Sequence, residues 1–561
     1  MKKSYLSQQI RLMSITTYDL MTDDEWNLYM GIINDINKSN ADEYANKKQE
    51  LIEHRRMLSD QLTTLIAKHD GKPRTVRLAN VINPKRYEEN NLPKGISWWD
   101  LKQTKQISEF LSEGARTLGL EDRSITFDKV IVKWKNLDIL RQITFDGFTM
   151  PILKPDGSVE AKHYTVKSAS AAMLRTDKVF ALSDEAVTKT ACIDCGMSVE
   201  RINSCGGINV NKLLAYESLP WSATDVWDSF DIDSAIVVQD FETDVTGRML
   251  YINNQYEQIK GINIVSIKHT DGVGVYLPGS FPDIGDINFM VRGPYLKGLL
   301  SPWDYIEFCK VHGVKPIVKD VWGKEHDLEA EGIKVLFFAS QLKLWNYYKD
   351  WDEYKNYFKK LGCHMCVTNY EEKFIKDVPM NYQFLQQLRD MTDEEIDELT
   401  RPTYDHIVKL SRDIGTMLRT LKADETSTNA YSQALASYNE LLREAYSKDT
   451  LRAIKKRMIL DAKSGRLQSR CKRLYVIPDF YAVFEWMFLG IEDPKGLLAA
   501  DEVGCKPFKN YAEVDVLRSP SLYFEHRVEK VSKNPEVYHW FTTNAIVTSC
   551  KSLISKVLQF D

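Results

Sequence analysis

Lys297 stands in the segment Val291-Arg292-Gly293-Pro294-Tyr295-Leu296-Lys297-Gly298, about twenty residues after Thr270-Asp271-Gly272-Val273-Gly274. A lysine held on a rigid strand acts as a fixed point charge. Phosphoryl transfer rewards such a charge most, because a triphosphate and its pentacovalent transition state concentrate negative charge. Gly293, Pro294 and Gly298 would shape the turn and clear space beside the ammonium group. The plain alternative is a solvated loop lysine, the fate of most lysines. Asp271-Gly272 reads first as a hairpin turn, with Val275 and Leu277 restarting an alternating strand. Gly274 adds a place where a backbone or ligand can come close.

Two further groups of residues could carry chemistry. From Arg452 to Arg473 nine basic residues (Arg452, Lys455, Lys456, Arg457, Lys463, Arg466, Arg470, Lys472 and Arg473) face one acid, Asp461. Leu451, Ile454 and Met458 fall on one helical face, leaving the cations on another. Such a face neutralises phosphates without reading sequence, or is a solvated helix surface. Cys192-Ile193-Asp194-Cys195 with Cys205, and Cys363-His364-Met365-Cys366, are short-spaced thiol pairs. They offer ligands for structural Zn²⁺, but free thiols are the default for single pairs of this kind. Phosphate-loop, nucleophile-elbow and His-Glu-x-x-His motifs are absent from the sequence.

The elements that must position these residues alternate in character. The first seventy residues read as helices: Thr22-Asp23-Asp24-Glu25 has capping-box form, and Leu51, Leu58, Leu62 and Leu65 recur at helical spacing. From about Lys72 to Thr190 short strands and turns follow, with Val130-Ile131-Val132 and the turn Lys154-Pro155-Asp156-Gly157 as the clearest signals. Ala235–Val238, Ile262–Ile267 and Ile333–Phe338 are further strands, in a pattern that suits a barrel or compact sheet. Residues from about Phe384 to Met458 are helical, opened by a second capping box at Thr392-Asp393-Glu394-Glu395. β character returns at Leu474–Ile477 and continues toward the end. A chain of 561 residues can bury several cores, and its net charge of −5 excludes bulk-charge binding to nucleic acid. No apolar run is long enough for a membrane span. The nine cysteines, odd in number and scattered, point to a reduced, cytoplasmic protein.

The two segments around Asp271 and Lys297, in this order, resemble the first barrel of the two-barrel RNA polymerases. The chain is similar to the RNA-dependent RNA polymerase family and its bacterial and phage-borne relatives. Tyr164–Ser170 with Arg175 is similar to a Ser-rich segment before that barrel, though it reads equally as a helix start capped by Ser168. Arg518-Ser519-Pro520 resembles the family's Arg-x-Pro segment, and Asp561 falls where the first Asp of the Asp-x-Asp-Gly-Asp motif would stand. Asp231-Ile232-Asp233 lacks the Gly-Asp of that motif and reads as a polar turn before a strand. Val275 and Pro294 depart from the family's common Lys and Gly.

What the resemblance implies is an α+β chain with an N-terminal helical region, an α/β N-terminal lobe, a first double-psi β-barrel with an insertion, a helical connector with a basic face and an incomplete second double-psi β-barrel. The corresponding ranges are 1–75, 76–215, 216–370, 371–470 and 471–561. It implies templated RNA synthesis from ribonucleoside triphosphates, with nucleic-acid template, RNA product and Mg²⁺ as partners. Lys297, Arg518 and Asp561 would be catalytic, Asp561 as a metal ligand. Asp271, Gly272, Gly274, Arg292, Lys297 and Gly298 would bind the nucleotide, and Arg452, Lys455, Lys456, Arg457, Lys463 and Arg466 the nucleic acid. One carboxylate cannot hold the catalytic metals, so this chain alone is expected to be inactive without a complementing C-terminal polypeptide. The alternatives are a DNA-dependent phage-type single-chain RNA polymerase and a non-catalytic nucleic-acid-binding or assembly subunit.

Overall fold

A computed structural model describes residues 9–39, 47–69, 71–77, 105–110, 112–119, 125–154, 156–222, 225–252, 257–388, 390–427, 429–519 and 526–552. The chain is a mixed α+β protein built on two seven-stranded sheets and one five-stranded sheet. In the N-terminal sheet the strand order is Arg74–Thr75, Phe148–Leu153, Val159–Ser168, Lys178–Ser183, Ile125–Lys133, Gln9–Thr16 and Lys105–Phe110. Helices Lys48–Ala67 and Leu137–Asp146 cover one face, burying Leu62, Ile66, Ile139 and Ile143 against Phe148 and Tyr164. The helical pair Asp23–Ser39 and Lys48–Ala67 therefore packs on the body, as the leucine spacing predicts.

One expectation for this region fails. Residues 9–16 form a strand, parallel to Ile125–Lys133 and antiparallel to Lys105–Phe110. An eight-residue segment carries too few periods to separate strand from helix, and pairing with distant strands decides it. The capping box is present, with Thr22 N–H donating to Glu25 Oε2 at 2.8 Å and Glu25 N–H to Thr22 Oγ1 at 3.2 Å. The same carboxylate takes both terminal nitrogens of buried Arg74, at 2.8 and 2.9 Å.

The second sheet runs Asp225–Val226, Cys366–Tyr370, Phe289–Gly293, Leu296–Pro302, Val273–Tyr276, Val335–Phe338 and Ala235–Val238. Val273–Tyr276 lies parallel to Leu296–Pro302 and antiparallel to Val335–Phe338. Most of these neighbours are distant in sequence. A separate two-stranded ribbon, Glu242–Ile252 with Gln258–Lys268, stands between Ala235–Val238 and Val273–Tyr276 in the chain. Asp271-Gly272 thus joins that ribbon to the sheet and is not a hairpin turn; only Gly272, at φ +68°, takes a left-handed conformation there. Asp231-Ile232-Asp233 enters a 3₁₀ turn in which Asp231 caps Asp233 N–H, leading into Ala235–Val238.

Beyond Tyr370 come the helices Asp393–Lys409, Ile414–Thr420, Ala430–Ser437 and Ala445–Lys463, with a small core of Leu410, Leu435, Leu442 and Leu451. The second capping box, Thr392 with Glu395, opens the first of them. The five-stranded sheet follows, in the order Val476–Pro478, Ile546–Thr548, Glu502–Cys505, His526–Val531 and Glu513–Leu517. The β character expected to run on from Leu474 is interrupted by the helix Phe480–Leu489. Its sequence, FYAVFEWMFL, is apolar nearly all round, so neither period appears, and length alone separates a buried helix from a buried strand. Asp479 caps it by accepting from Tyr481 N–H, and Gly490, at φ +66°, ends it. Trp303 stacks on Phe484 and on Trp540 with centroids 4.6 and 5.0 Å apart. One continuous core therefore runs from the second sheet through this helix into the five-stranded sheet.

The Glu25–Arg74 pair yields a test. Burial raises the Glu25 pKa, but the hydrogen bonds from Arg74 and Thr22 outweigh burial and hold it below its ordinary 4.5. A depressed carboxylate stabilises the fold above its unfolded-state pKa and loses that contribution as pH falls through the folded value. Glu25→Gln leaves Arg74 charged and buried, and should cost about 3 kcal/mol in urea unfolding at pH 7. The difference from wild type should hold from pH 7 to about 5 and shrink as pH falls further. A difference that instead grows below pH 5 would contradict the assignment.

Candidate active site

The turn that carries Asp271 is anchored by Asp240, a buried carboxylate just past the strand Ala235–Val238. Asp240 Oδ1 accepts from Thr270 Oγ1 at 2.9 Å and from Ser340 Oγ at 2.7 Å, and Oδ2 accepts from Ser340 N–H at 2.9 Å. Ser340 Oγ in turn accepts from Gly272 N–H at 3.0 Å. Three segments distant in sequence, 240–241, 270–272 and 340–341, are thereby joined through one carboxylate. Thr270 also accepts from Phe241 N–H at 3.1 Å. The threonine of the Thr-Asp-Gly turn therefore has a structural task.

The glycines explain themselves by what lies against them. A Cβ on Gly274 would fall 2.5 Å from Gln341 Oε1 and 2.6 Å from the Leu336 carbonyl. A Cβ on Gly298 would fall 2.2 Å from Gln341 Nε2 and 2.6 Å from the Gly272 carbonyl. The close approach expected at Gly274 is thus made by a buried side-chain amide and a neighbouring strand. Gln341 Oε1 accepts from Phe338 N–H at 3.0 Å, while its Nε2 donates to the Leu299 carbonyl at 3.0 Å.

Lys297 follows from this arrangement. Its backbone N–H donates to the Gln341 carbonyl at 3.0 Å, and two residues on, Lys343 N–H donates to the Tyr295 carbonyl at 2.7 Å. Segment 341–343 therefore runs beside 295–297 and carries a second lysine to the first. Burial depresses the Lys343 pKa and the positive charges of Lys297 and Lys268 push the same way, while Asp271 and Asp240 oppose them. Lys268 has the opposite balance: burial lowers its pKa, but Asp240 and Glu242 outweigh burial and raise it. The result is a cluster of three lysines around two aspartates, with Lys343 short of compensating charge. Sequence reading missed Lys343. Its signal is the run Ser340-Gln341-Leu342-Lys343 directly after the strand Val335–Phe338, which has meaning only once Gln341 is known to be buried.

Arg292 is paired with Lys297 across the hairpin, whose two-residue turn is Pro294-Tyr295. Proline presets the first turn position, and Tyr295 takes φ +54° at the second, where glycine is usual. The Tyr354 hydroxyl bonds the Pro294 carbonyl at 2.8 Å, and the buried Tyr295 ring fixes the turn. The Arg292 side chain lines a small cavity with Glu113, Cys192, His364 and Cys366. Burial lowers its pKa, and its buried Nε has no hydrogen-bond partner. The two cysteine pairs approach each other here, yet among the described residues no group of three or more His, Cys, Asp or Glu side chains could hold a metal ion. Cys205 is exposed.

The remaining predicted residues lie elsewhere. Arg518 follows the strand Glu513–Leu517 and is half-buried; its neighbour Ser519 donates to Gln383 Oε1 at 2.6 Å. Ser168 ends a strand and bonds the Leu214 carbonyl, while the helix cap expected of it is made by Ser170; Arg175 is exposed. On the helix Ala445–Lys463, Arg452 pairs with Asp449, Arg457 and, beyond the helix, Arg466 with Asp461, and Lys455 bonds Ser411. Lys456 and Lys463 are exposed and form no ion pair among the described residues. Asp561 lies outside the described residues.

The glycine geometry predicts an order of damage. Gly298→Ala and Gly274→Ala should each cost about 3 kcal/mol, because backbone and a buried amide cannot yield. Gly272→Ala meets open space and should cost only about 1 kcal/mol for the left-handed backbone. Thermal unfolding of the three variants measures this; equal shifts would contradict the packing.

No protein-family model matches the chain. Its sequence is 37% identical over 567 aligned positions to DNA-directed RNA polymerase YonO of Bacillus phage SPbeta, an alignment that takes in all of this chain. The chain spans 63% of that protein's length. Over its whole length the chain is thus similar to a phage DNA-directed RNA polymerase.

Proposed function

We propose that the chain is part of a single-chain RNA polymerase that copies a DNA template, adding ribonucleoside triphosphates to an RNA 3′ end. The observation that carries this reading is the convergence of Lys297 and Lys343 beside the Asp240–Thr270–Ser340 anchor. The related phage protein is a DNA-directed RNA polymerase, which favours a DNA template over the RNA template first expected. Two lysines on adjacent backbone segments, one with a depressed pKa, suit a ligand with several adjacent negative charges. A bound triphosphate would push the Lys343 pKa back up and gain from an environment already arranged to receive it. Arg518, a planar donor at the edge of the five-stranded sheet, suits the sugar hydroxyls. The finer fold reading belongs to the same proposal: two double-psi β-barrels in the ranges 216–370 and 471–561, joined by a helical connector over 371–470. The interlaced parallel and antiparallel order around Val273–Tyr276 supports it.

Magnesium is the metal this chemistry calls for, but the described residues do not fit it. The oxygens of Asp240 are taken by Thr270 and Ser340, and among the described residues no group of three or more His, Cys, Asp or Glu side chains could hold a metal ion. No step is therefore assigned to a metal here. What these residues do is bind and orient phosphates.

Template-directed incorporation of labelled ribonucleotides, on DNA and on RNA templates, by the protein expressed from its complete reading frame tests the proposal. Incorporation should occur on DNA. Lys297→Ala and Lys343→Ala should each lower turnover about 100-fold or more while leaving template affinity within about twofold. Unchanged turnover removes the lysine concerned from the site. Nucleic-acid binding with no incorporation on either template would replace the enzyme reading with that of a binding subunit.

A further inference from the structure

Two connecting segments cross the seam between the second sheet and the five-stranded sheet. One, residues 371–378, leaves the strand Cys366–Tyr370; the other, residues 470–475, enters the strand Val476–Pro478. Val378 N–H donates to the Cys471 carbonyl at 2.8 Å, and Lys472 Nζ donates to the Ile375 carbonyl at 3.1 Å and to Asp377 at 2.9 Å. The two segments therefore lie side by side. Glu371 fixes the start of the first, its carboxylate accepting from Asn288 N–H at 2.9 Å and from Asn544 N–H at 2.5 Å, one residue in each sheet region.

On this anchored base Phe374 is 76% exposed, and Lys373 Nζ lies 6.0 Å from its ring centroid. Lys373, Lys376, Arg470 and Arg473 are exposed and form no ion pair among the described residues. The nearby acids are Glu371, held by Asn288 and Asn544, Glu372, Asp377, paired with Lys472, and Asp515, paired with His526. Phe145 is more exposed still, so exposure alone marks no site; what sets Phe374 apart is a loop pinned to both sheet regions and flanked by cations. The cations around it favour a polyanion, and an aromatic ring among cations is the surface that takes a base on its face while neighbouring phosphates meet the charges.

We propose that Phe374 is a stacking platform for a base of a single-stranded nucleic-acid segment that runs across this seam, with Lys373, Lys376, Arg470 and Arg473 on its phosphates. The proposal rests on the nucleic-acid-handling function above and adds to it the form of the strand and the place where it lies. Unstacked bases offer the ring a face; in a duplex those faces are occupied by neighbouring pairs.

The test is binding of a fluorescently labelled oligothymidine to the full-length protein, as a function of salt. Phe374→Ala should weaken binding roughly 5- to 100-fold with the salt slope unchanged. Phe374→Trp should bind within about twofold of wild type, and its added tryptophan should be quenched by the oligonucleotide. Lys373→Ala with Arg473→Ala should reduce the salt slope by about 1.4. An abasic oligonucleotide should bind wild type as weakly as oligothymidine binds Phe374→Ala. Equal affinity of Phe374→Ala and wild type overturns the platform but leaves the polymerase proposal standing, since incorporation is measured separately. A change in the protein's own association state with unchanged affinity also overturns it and assigns the ring to a protein contact. Absence of any single-strand binding by wild type also overturns the platform, while incorporation alone decides the polymerase proposal.

Discussion

The buried amide of Gln341 is the constraint on which the candidate site depends. A side-chain amide can donate and accept at once, and this one does both to backbone groups of two different strand segments, Leu299 and Phe338. Its backbone carbonyl then takes Lys297 N–H. Nothing smaller would fill the space that Gly274 and Gly298 leave, and nothing apolar would satisfy the Phe338 N–H and Leu299 carbonyl it serves. An unsatisfied buried group costs more than a made hydrogen bond gains, so the amide and the two glycines specify one another. The registers of Lys297 and Lys343 follow from that fit, because both lie within two residues of a group bonded to Gln341 or its neighbours.

A second constraint acts between the sheets. Trp303, Phe484 and Trp540 form a stacked aromatic group, and Phe241, next to Asp240, meets Trp486 at 5.4 Å between centroids. The Asp240 anchor and the five-stranded sheet are thus tied through one helix, Phe480–Leu489. For a reaction in which phosphates and sugar must be held at once, that rigidity is worth more than any single contact, since misplacement by an ångström is costly.

What could be read from the sequence was local, and what could not was non-local. The two capping boxes, the strand Ala235–Val238 and the turn at Gly272 each obey rules confined to a few neighbours. Lys297 was singled out because glycine and proline crowd around it, and the structure sets it on the strand Leu296–Pro302. Lys343 was not: its ammonium group bonds the Ser340 carbonyl close by, but the charges that act on it come from segments some fifty to a hundred residues away, and no local spacing marks it. Gly274 was recognised as a close-approach position, but what approaches, Gln341, is known only from the fold. The strand Gln9–Thr16 and the helix Phe480–Leu489 were misread for one reason, since pairing and complete burial overrode patterns too short or too uniformly apolar to decide. The basic run was legible as composition, but its cancellation by Asp449 and Asp461 depends on the helix geometry that brings each acid within reach.

That cancellation bears on where a polyanion can lie. The chain carries net negative charge, so a bound strand must follow a path from which acids are excluded. Three of the predicted helix cations are spent on intramolecular pairs, and exposed pairs of this kind contribute little to stability but do lower the local potential. The cleft at the base of the ribbon is closed to phosphates for the opposite reason: a cavity of about 530 Å³ there is lined by Glu242, Asp244, Glu492 and Asp493. Besides Lys456 and Lys463 on that helix, cations remain at the lysine cluster around Asp271 and at the seam of Lys373, Lys376, Arg470 and Arg473. These two regions flank the second sheet, one at its lysine-bearing loops and one at its exit strand. A path that joins them meets cations at both ends and avoids the acidic cleft, which an evenly charged surface would not enforce.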